Sequence, residues 1–407
     1  MIQVWTESGD GHQATGVLDR NGASGSTFAY TPPLDHSRSV SLTMPSRLPS
    51  WNWPVGLAPI FEMNLPEGAL RDRLQRQFGK ATGRFDDLDL LSITGRTQLG
   101  RLRYSPFGEG LDQAVPFQSV DEILRARRQD GLFDYLMERY AAQSGIAGVQ
   151  PKVLIRDPEK LSDAQARQSI SLQSTTHIVK LWNKGEFPQL AANEFFCLTA
   201  ARNLGLNVPV FELSDDGQAL IIERFDLSGD HWLGFEDFCV LNGKGAIRKY
   251  DGSIETSLFK RLSQFVDPEF ALEDSRALFK LIVLNCAIGN GDAHLKNFGL
   301  LYDSLADSPR LSPVYDLVTT TAYLPMDQMA LTLDGSTRWP TIQKLIELGQ
   351  RRAGLTAKQA TEQIEATAAA LLDLRAELTT WFKASPNPEI GAAMVARWEA
   401  WAQLCES

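Results

Sequence analysis

Scarce cysteine and the lack of long apolar runs are the first features of this 407-residue sequence. Its four cysteines (Cys197, Cys239, Cys286 and Cys405) form no CxxC pair, which disfavours a cysteine-based zinc or redox site and favours free thiols in a reducing compartment. No apolar run approaches about 18 residues, and no basic-then-apolar signal pattern begins the chain. We therefore expect a soluble, cytoplasmic protein that does not contact a membrane.

The sequence also has fewer basic than acidic residues. Forty Lys and Arg residues stand against 50 Asp and Glu residues, so the net charge is -10 and the isoelectric point is about 5.2. This balance disfavours a broad footprint on duplex DNA, and the sequence contains no helix-turn-helix pattern. The five histidines offer no second ligand at helical spacing, and the P-loop pattern GxxxxGK[ST] is absent.

The composition is that of an ordinary globular protein, with 43% hydrophobic and 22% charged residues, in a chain long enough for two or three cores. The first 110 residues alternate in short segments, and the pattern becomes helical after Leu258. Strands are predicted near residues 4–6, 13–18, 26–31 and 40–43, and a helix at 66–76. We predict three domains: a β-rich module (1–110), a lobe with a Gly-containing loop (111–226) and a helical lobe (227–407).

A loop with two glycines precedes the strand that carries Lys152. Because glycine lets backbone N–H groups approach a phosphate closely, the segment 144–155 is a candidate nucleotide-covering loop. Taken alone, Gly145 and Gly148 are more typical of an ordinary hairpin.

Lys180 and Glu194 interrupt apolar faces of successive predicted elements. The alternation of residues 177–182 predicts a strand, and a lysine on its apolar face needs a carboxylate partner or must lose its charge. Glu194 falls within the apolar stripe of a helix predicted at 189–204. Each alone is typical of a rim charge; together they match the lysine–glutamate pair that fixes ATP phosphates in protein kinases.

Two further strands are predicted at 207–213 and 219–226, where strands give way to helices. Backbone groups of Glu223, Arg224 and Phe225 could meet an adenine there; a linker strand capped by Arg224 is the alternative. The basic loop 243–250 is interpreted as solvated, with substrate or phosphate contact as the alternative.

The stretch around Asp292 carries the strongest chemical pattern. A buried helix predicted at 274–287 breaks at Gly289 and Gly291, and a hairpin (299–302 with 311–314) would return Asp316 to the side of Asn297. One carboxylate can then accept a hydroxyl proton, while an amide and a second carboxylate hold Mg²⁺. An Asp followed five residues later by an Asn is the spacing of the kinase catalytic loop.

Two other functions share this loop. Small-molecule phosphotransferases such as aminoglycoside or choline kinases use a similar Gly-Asp-x-His-x-x-x-Asn pattern. A non-catalytic protein that binds ATP and holds a partner would also keep it. The N-terminal module and the loop at Gly148 favour a protein kinase.

The order of these motifs resembles the HipA family of bacterial toxin kinases over nearly the whole chain. The resemblance is carried by Ser41-Leu-Thr-Met-Pro, Asn64-Leu-Pro-Glu-Gly, Gly148-Val-Gln-Pro-Lys, His177-Ile-Val-Lys, Glu223-Arg-Phe-Asp, Gly291-Asp-Ala-His-Leu-Lys-Asn and Tyr315-Asp. It implies an α+β, bilobal protein-kinase-like fold with an extra N-terminal β-rich subdomain and a helical C-lobe. It also implies a serine/threonine kinase that uses ATP and Mg²⁺, phosphorylates an aminoacyl-tRNA synthetase and causes growth arrest and persistence. A HipB-type helix-turn-helix antitoxin would neutralise it and supply the only DNA contact.

The resemblance assigns roles to individual residues. Asp292 would be the general base, with His294 and Lys296 beside it. Asn297 and Asp316 would hold Mg²⁺. The nucleotide would meet Gly148, Val149, Gln150, Lys152, Lys180, Glu194, Glu223, Arg224, Phe225, His294 and Tyr315.

One position departs from the family pattern. The family's Gly-rich loop often begins with a serine whose autophosphorylation expels the loop and silences the kinase, and Gly145 occupies that position here. Either Ser144 serves as the phosphorylation site with a shifted register, or the switch is missing. We favour the second interpretation.

Overall fold

The computed structural model describes residues 1–8, 11–82, 85–111, 115–125, 131–148, 150–168, 174–182, 187–229 and 231–406. The strands are β1 (Ile2–Ser8), β2 (Gly11–Asn21), β3 (Gly25–Tyr30), β4 (Trp51–Trp53), β5 (Leu102–Pro106), β6 (Lys152–Ile155), β7 (His177–Leu181), β8 (Phe211–Leu213), β9 (Ala219–Glu223), β10 (Leu227–Ser228), β11 (His231–Trp232), β12 (Gly234–Asp237), β13 (Gly299–Tyr302) and β14 (Arg310–Leu311). The helices are α1 (Pro59–Glu62), α2 (Gly68–Thr82), α3 (Asp87–Thr94), α4 (Val120–Arg125), α5 (Leu132–Tyr140), α6 (Ala164–Gln168), α7 (Leu190–Asn203), α8 (Phe238–Leu241), α9 (Lys260–Phe265), α10 (Pro268–Ile288), α11 (Ile342–Arg352), α12 (Ala357–Lys383) and α13 (Pro388–Glu406).

The chain forms two compact units that do not follow chain order. Unit one comprises residues 1–181, 210–246 and 300–309, and unit two comprises 182–209, 247–299 and 310–407. None of the helices in the described part of the chain combines the length and the apolar composition that a membrane span requires.

Two larger antiparallel sheets lie in unit one, besides the two-stranded sheet β10-β11. The first has the order β4-β3-β2-β1-β5, and the buried rings of Phe28, Phe61 and Tyr104 contact one another in its core. The second has the order β6-β7-β9-β8. All five residues of β7 are buried, His177 and Lys180 included, since the strand lies between β6 and β9.

Unit two is mainly helical. α10 begins at a proline, which favours the first helical position, and its last eight residues are all buried. α12 begins with a capping box between Thr356 and Gln359, in which each side chain accepts a backbone N–H of the first turn. The ring of Phe196 on α7 packs against Trp381 and Phe382 on α12. These contacts hold α7 within the helical core.

The predicted strand at 40–43 is wrong. These residues form a turn closed by an isolated bridge between Ser41 and Met44. The buried carboxylate of Glu236 accepts hydrogen bonds from Ser41 Oγ and from the N–H of Leu42, each at 2.7 Å, so a donor needed for a strand ladder is already used.

Several predicted boundaries also move. The helix predicted at 66–76 is α2, the strand predicted at 207–213 shortens to β8, and the strand predicted at 311–314 shortens to β14. Proline has no N–H to donate to a ladder, and Pro209 and Pro313 stand in the residues that the two strands lose.

Candidate active site

The loop that follows α10 is fixed by a segment about 30 residues further along the chain. The N–H of Gly291 donates to Thr320 Oγ1 at 2.7 Å, and that hydroxyl donates to the carbonyl of Gly289 at 3.0 Å. A Cβ at Gly291 would lie 2.1 Å from Asp327 Oδ2, so only glycine fits. The sequence break between helix and strand is therefore a closely packed turn that presents Asp292.

Asn297 closes this turn from the other end. Its Nδ2 donates to the backbone carbonyl of Asp292 at 3.1 Å, while the N–H of Asp292 donates to Asn290 Oδ1 at 3.1 Å. The buried Oδ1 of Asn297 receives no hydrogen bond from the residues that the structure describes. A buried amide oxygen that accepts no hydrogen bond is suited to act as a ligand of a cation.

Asp316 is held by α7. Its backbone is left-handed (φ 54°), and its N–H donates to Oε1 of the fully buried Glu194 at 3.1 Å. On the same helix, Asn193 exchanges two hydrogen bonds with the backbone of Thr319, at 2.8 and 3.1 Å. Glu194 thus supports the segment that carries the second carboxylate. The predicted ion pair of Glu194 with Lys180 stays a prediction, since Lys180 belongs to unit one.

His294 lies among the charged groups of this loop. Burial lowers its pKa to about 4, although the carboxylates of Asp292 and Asp316 act in the opposite direction; Lys249 and Lys296 act with burial. The imidazole is therefore neutral near pH 7. Its Nδ1 has no hydrogen-bond partner within the described residues.

Tyr315 ties the loop to the segment of Asp316. Its hydroxyl donates to the carbonyl of Lys296 at 2.9 Å. The predicted residues Asp292, His294, Lys296, Asn297, Tyr315 and Asp316 therefore belong to one continuous set of contacts in unit two. No three His, Cys, Asp or Glu side chains of the described ranges form a metal-ligand group, so a magnesium site would rest on Asn297 and Asp316.

Tyr250 is a site residue that the sequence reading missed. Its hydroxyl donates to Asp292 Oδ1 at 2.7 Å, and its ring meets the imidazole of His294 edge-on at 5.2 Å. The sequence offered one signal, the basic loop 243–250, for which substrate contact was the alternative interpretation. Nothing local indicates that its last residue reaches a loop more than 40 positions away.

Unit one carries two of the predicted lysines. Lys152 on β6 and Lys180 on β7 are directly opposite each other in the ladder, so both side chains lie on one face, and both are buried. A Cβ on Gly148 (φ 118°) would lie 2.5 Å from Lys152 Nζ, which places the loop backbone directly over this ammonium group. Gln150 donates to the carbonyl of Leu181 at 3.3 Å. Val149 lies outside the described residues.

In the segment predicted to contact adenine, two backbone N–H groups already donate hydrogen bonds within unit one. The N–H groups of Glu223 and Arg224 donate to the carbonyls of Val210 and Thr176, each at 2.9 Å. A backbone contact with adenine would therefore use other groups of this segment. The Glu223 carboxylate accepts from Ser162, and burial raises its pKa.

The Arg224 side chain is a structural centre of unit one. Its guanidinium is buried and forms a bidentate pair with Asp226, with N–O distances of 3.0 and 2.6 Å. It also donates to the hydroxyl of Thr175 and the carbonyl of Gln98, at 2.6 and 2.9 Å. Phe225 contacts Phe235 edge-on, with ring centroids 5.7 Å apart.

Ser144 is fully buried in this conformation. Its hydroxyl donates to the carbonyl of Tyr140 at 2.6 Å and accepts from the N–H of Leu154 at 2.9 Å. A Cβ at Gly145 would lie 2.5 Å from Gln98 Cγ, so a serine at that position would not fit the loop as folded. Both observations agree with the interpretation that the loop switch is missing, which stays a prediction.

Two protein-family models match this chain. The model of the HipA-like C-terminal domain matches residues 144–374, and that of the HipA N-terminal domain matches residues 3–105. In Sinorhizobium fredii, "Putative kinase Y4mE" is 31% identical over 343 residues, covering 79% of this chain and 78% of that protein. "Putative kinase Y4dM" of the same organism is 29% identical over 333 residues, covering 76% and 75%.

A solved structure confirms the predicted fold class. HipA of Shewanella oneidensis MR-1, solved with HipB and its operator DNA, superposes with a TM-score of 0.67 at 22% identity, over 100% of this chain and 97% of that chain. The α+β kinase-like fold with its additional β-rich N-terminal part is therefore shown. With the C-terminal family model alone matching more than half of its length, the chain belongs to the HipA family.

Proposed function

We propose that this protein is an ATP-dependent serine/threonine kinase toxin that transfers the γ-phosphate of ATP to a hydroxyl group of a protein. Membership of the HipA family and the kinase names of two relatives support this proposal. The observation that carries it is the contact set in unit two, where one loop presents Asp292 and Asn297 and α7 holds the segment of Asp316.

Asp292 has the exposure and the support that a general base needs. It lies exposed at the tip of a turn whose backbone is fixed by Asn290 and Asn297. In the proposed reaction its carboxylate orients the acceptor hydroxyl and takes the proton as the oxygen attacks the γ-phosphorus, whose bond to the bridging oxygen breaks and releases ADP.

Asn297 and Asp316 fit a magnesium ion. An amide oxygen without a donor and a carboxylate are the hard oxygen ligands that Mg²⁺ prefers. When bound, the ion would neutralise charge on the phosphate groups. The residues' own task is to hold these two oxygens in place, through Asp292 on one side and Glu194 on the other.

The cations of unit one fit the phosphate groups of ATP. The two lysines lie directly opposite each other on neighbouring strands, so both side chains can bind one polyanion. We assign Lys180 and Lys152 to the phosphates, Gly148 and Gln150 to the covering loop, and backbone groups of 223–225 to the adenine.

The partners follow by analogy with the family. The Shewanella HipA structure contains HipB and operator DNA. We propose a HipB-type helix-turn-helix antitoxin that neutralises this chain and makes the DNA contact, and an aminoacyl-tRNA synthetase in the cytoplasm as the phosphorylated target. Loss of tRNA charging would then arrest growth.

The test is quantitative phosphoproteomics after expression of the chain, with Asp292→Gln as the matched control. We expect one or a few phosphoserine or phosphothreonine sites that depend on Asp292, including one on a tRNA synthetase. If both proteins give the same phosphorylation pattern, while purified chain phosphorylates aminoglycosides or amino alcohols, the assignment as a protein kinase is wrong.

A second experiment tests the antitoxin. A helix-turn-helix protein encoded beside the chain should copurify with it and restore growth on coexpression. DNA should shift in a gel only when that partner is present, because the chain is acidic. DNA binding by the chain alone would contradict this part of the proposal.

A further inference from the structure

Tyr250 makes a set of contacts with the catalytic loop that the proposed function does not use. Its hydroxyl donates to Asp292 Oδ1 at 2.7 Å, and its ring lies edge-on against buried His294. Next to it, the carbonyl of Lys249 accepts the N–H of Leu295 at 3.0 Å. A side-chain bond, a ring contact and a main-chain bond therefore join this segment to three residues of one loop.

We propose that Tyr250 is a positioning residue for the phosphoryl acceptor, an inference that rests on the proposed function of Asp292. A carboxylate has two oxygens and room for several donors. With Tyr250 bound to Oδ1, the side-chain rotation of Asp292 is fixed and Oδ2 is directed to the acceptor hydroxyl. A phenol–carboxylate hydrogen bond is charge-assisted and strong enough to select one orientation.

The contacts favour positioning over obstruction. A tyrosine that blocks the base would have to leave before each reaction, which requires a mobile attachment. Here the backbone of Lys249 is bonded to the loop itself, and the carbonyl of Tyr250 accepts the N–H of Gly252 at 3.0 Å. The ring therefore moves with the catalytic loop, and the acceptor approaches the other carboxylate oxygen.

The experiment compares Tyr250→Phe and Tyr250→Ala with the wild-type chain, using the protein target found by phosphoproteomics. Tyr250→Phe removes one oxygen and keeps the ring against His294. We expect its kcat to fall by about ten- to a hundredfold, the usual range for a misplaced reacting group, with the KM for ATP and the melting temperature unchanged. Tyr250→Ala should lose a similar factor in kcat and, in addition, some thermal stability.

Tyr135→Phe is the control. Tyr135 is 45% exposed, close to the 48% of Tyr250, and its hydroxyl is bonded to Gln118 and Arg139 in unit one. It should keep wild-type kcat. An unchanged kcat in Tyr250→Phe overturns the positioning role, and an increased kcat shows that Tyr250 blocks the base. If wild-type chain transfers no phosphate to any protein, the proposed function fails and this inference fails with it.

Discussion

The two units present opposite charges by different structural means. In unit one, Lys152 and Lys180 are buried cations on adjacent strands, and the ladder register alone places them side by side. In unit two, hydrogen bonds with Tyr250 and Glu194, far away in the chain, hold Asp292 and Asp316, and Asn297 is bonded to Asp292. In the proposed function, the sheet of unit one binds ATP, while the loops of unit two orient the reacting oxygen.

The largest expected effect separates binding from chemistry. Asp292→Asn should lower kcat by about a thousandfold, within the usual range for loss of a general base, and leave ATP affinity unchanged. Lys180→Ala should instead weaken the binding of ATP by about 2 kcal/mol, or about thirtyfold, because a charged hydrogen bond to phosphate is lost. Calorimetric titration with a non-hydrolysable ATP analogue, together with kcat, checks both. If Asp292→Asn lowers the affinity for ATP as much as Lys180→Ala does, the proposed assignment of ATP binding to unit one and of chemistry to unit two is wrong.

The next effect concerns stability in unit one. Arg224→Met leaves Asp226 buried without its guanidinium, and breaking such a buried pair costs about 3 kcal/mol of unfolding free energy or more. The control is Arg375→Met in unit two, where Arg375 and Glu399 are both exposed and the loss should stay below about 1 kcal/mol. Urea denaturation measures both. Equal losses would mean that Arg224 is not the structural centre its contacts indicate.

The same contrast explains what the sequence could predict. β7, α7 and α10 follow from apolar periodicity, and the placement of Lys180 on an apolar face follows from alternation. The contact of Tyr250 with Asp292 and the bond from Asp316 to Glu194 join residues 42 and 122 positions apart, so no local pattern encodes them. The strand predicted at 40–43 fails for the same reason, because Glu236 takes the donor groups from almost 200 positions away. The assigned roles of the site residues stay predictions.

Acid should destabilise unit one through His177. Burial lowers the pKa of this histidine from 6.5 to about 4, so the folded state keeps it neutral while the unfolded chain takes up a proton below pH 6.5. The stabilisation is complete above pH 6.5 and disappears as the pH falls towards 4, with a loss of about 2 kcal/mol between pH 7 and 5. In urea denaturation, the unfolding free energy of His177→Gln should therefore fall between pH 7 and 5 by about 2 kcal/mol less than that of the wild type. His36→Gln, at an exposed histidine of the same unit, should match the wild type; an equal change there would exclude His177 as the cause.

The smallest expected effect tests whether the loop backbone truly covers the lysine pair. Gly148→Ala adds a Cβ at φ 118° and 2.5 Å from Lys152 Nζ, so it should cost about 1 kcal/mol of stability and also displace the ammonium group. Gly205→Ala in unit two is the matched control, since Gly205 has φ 69° but open space around its Cβ position. Both variants should lose similar stability, because both force a side chain into a backbone conformation that favours glycine. Only Gly148→Ala should lower the affinity for ATP, by severalfold, because only there does the added methyl group move a cation assigned to the phosphates. Equal ATP affinity in the two variants would show that Lys152 does not bind the nucleotide. Of the two paired lysines, Lys180 alone would then be assigned to the phosphates.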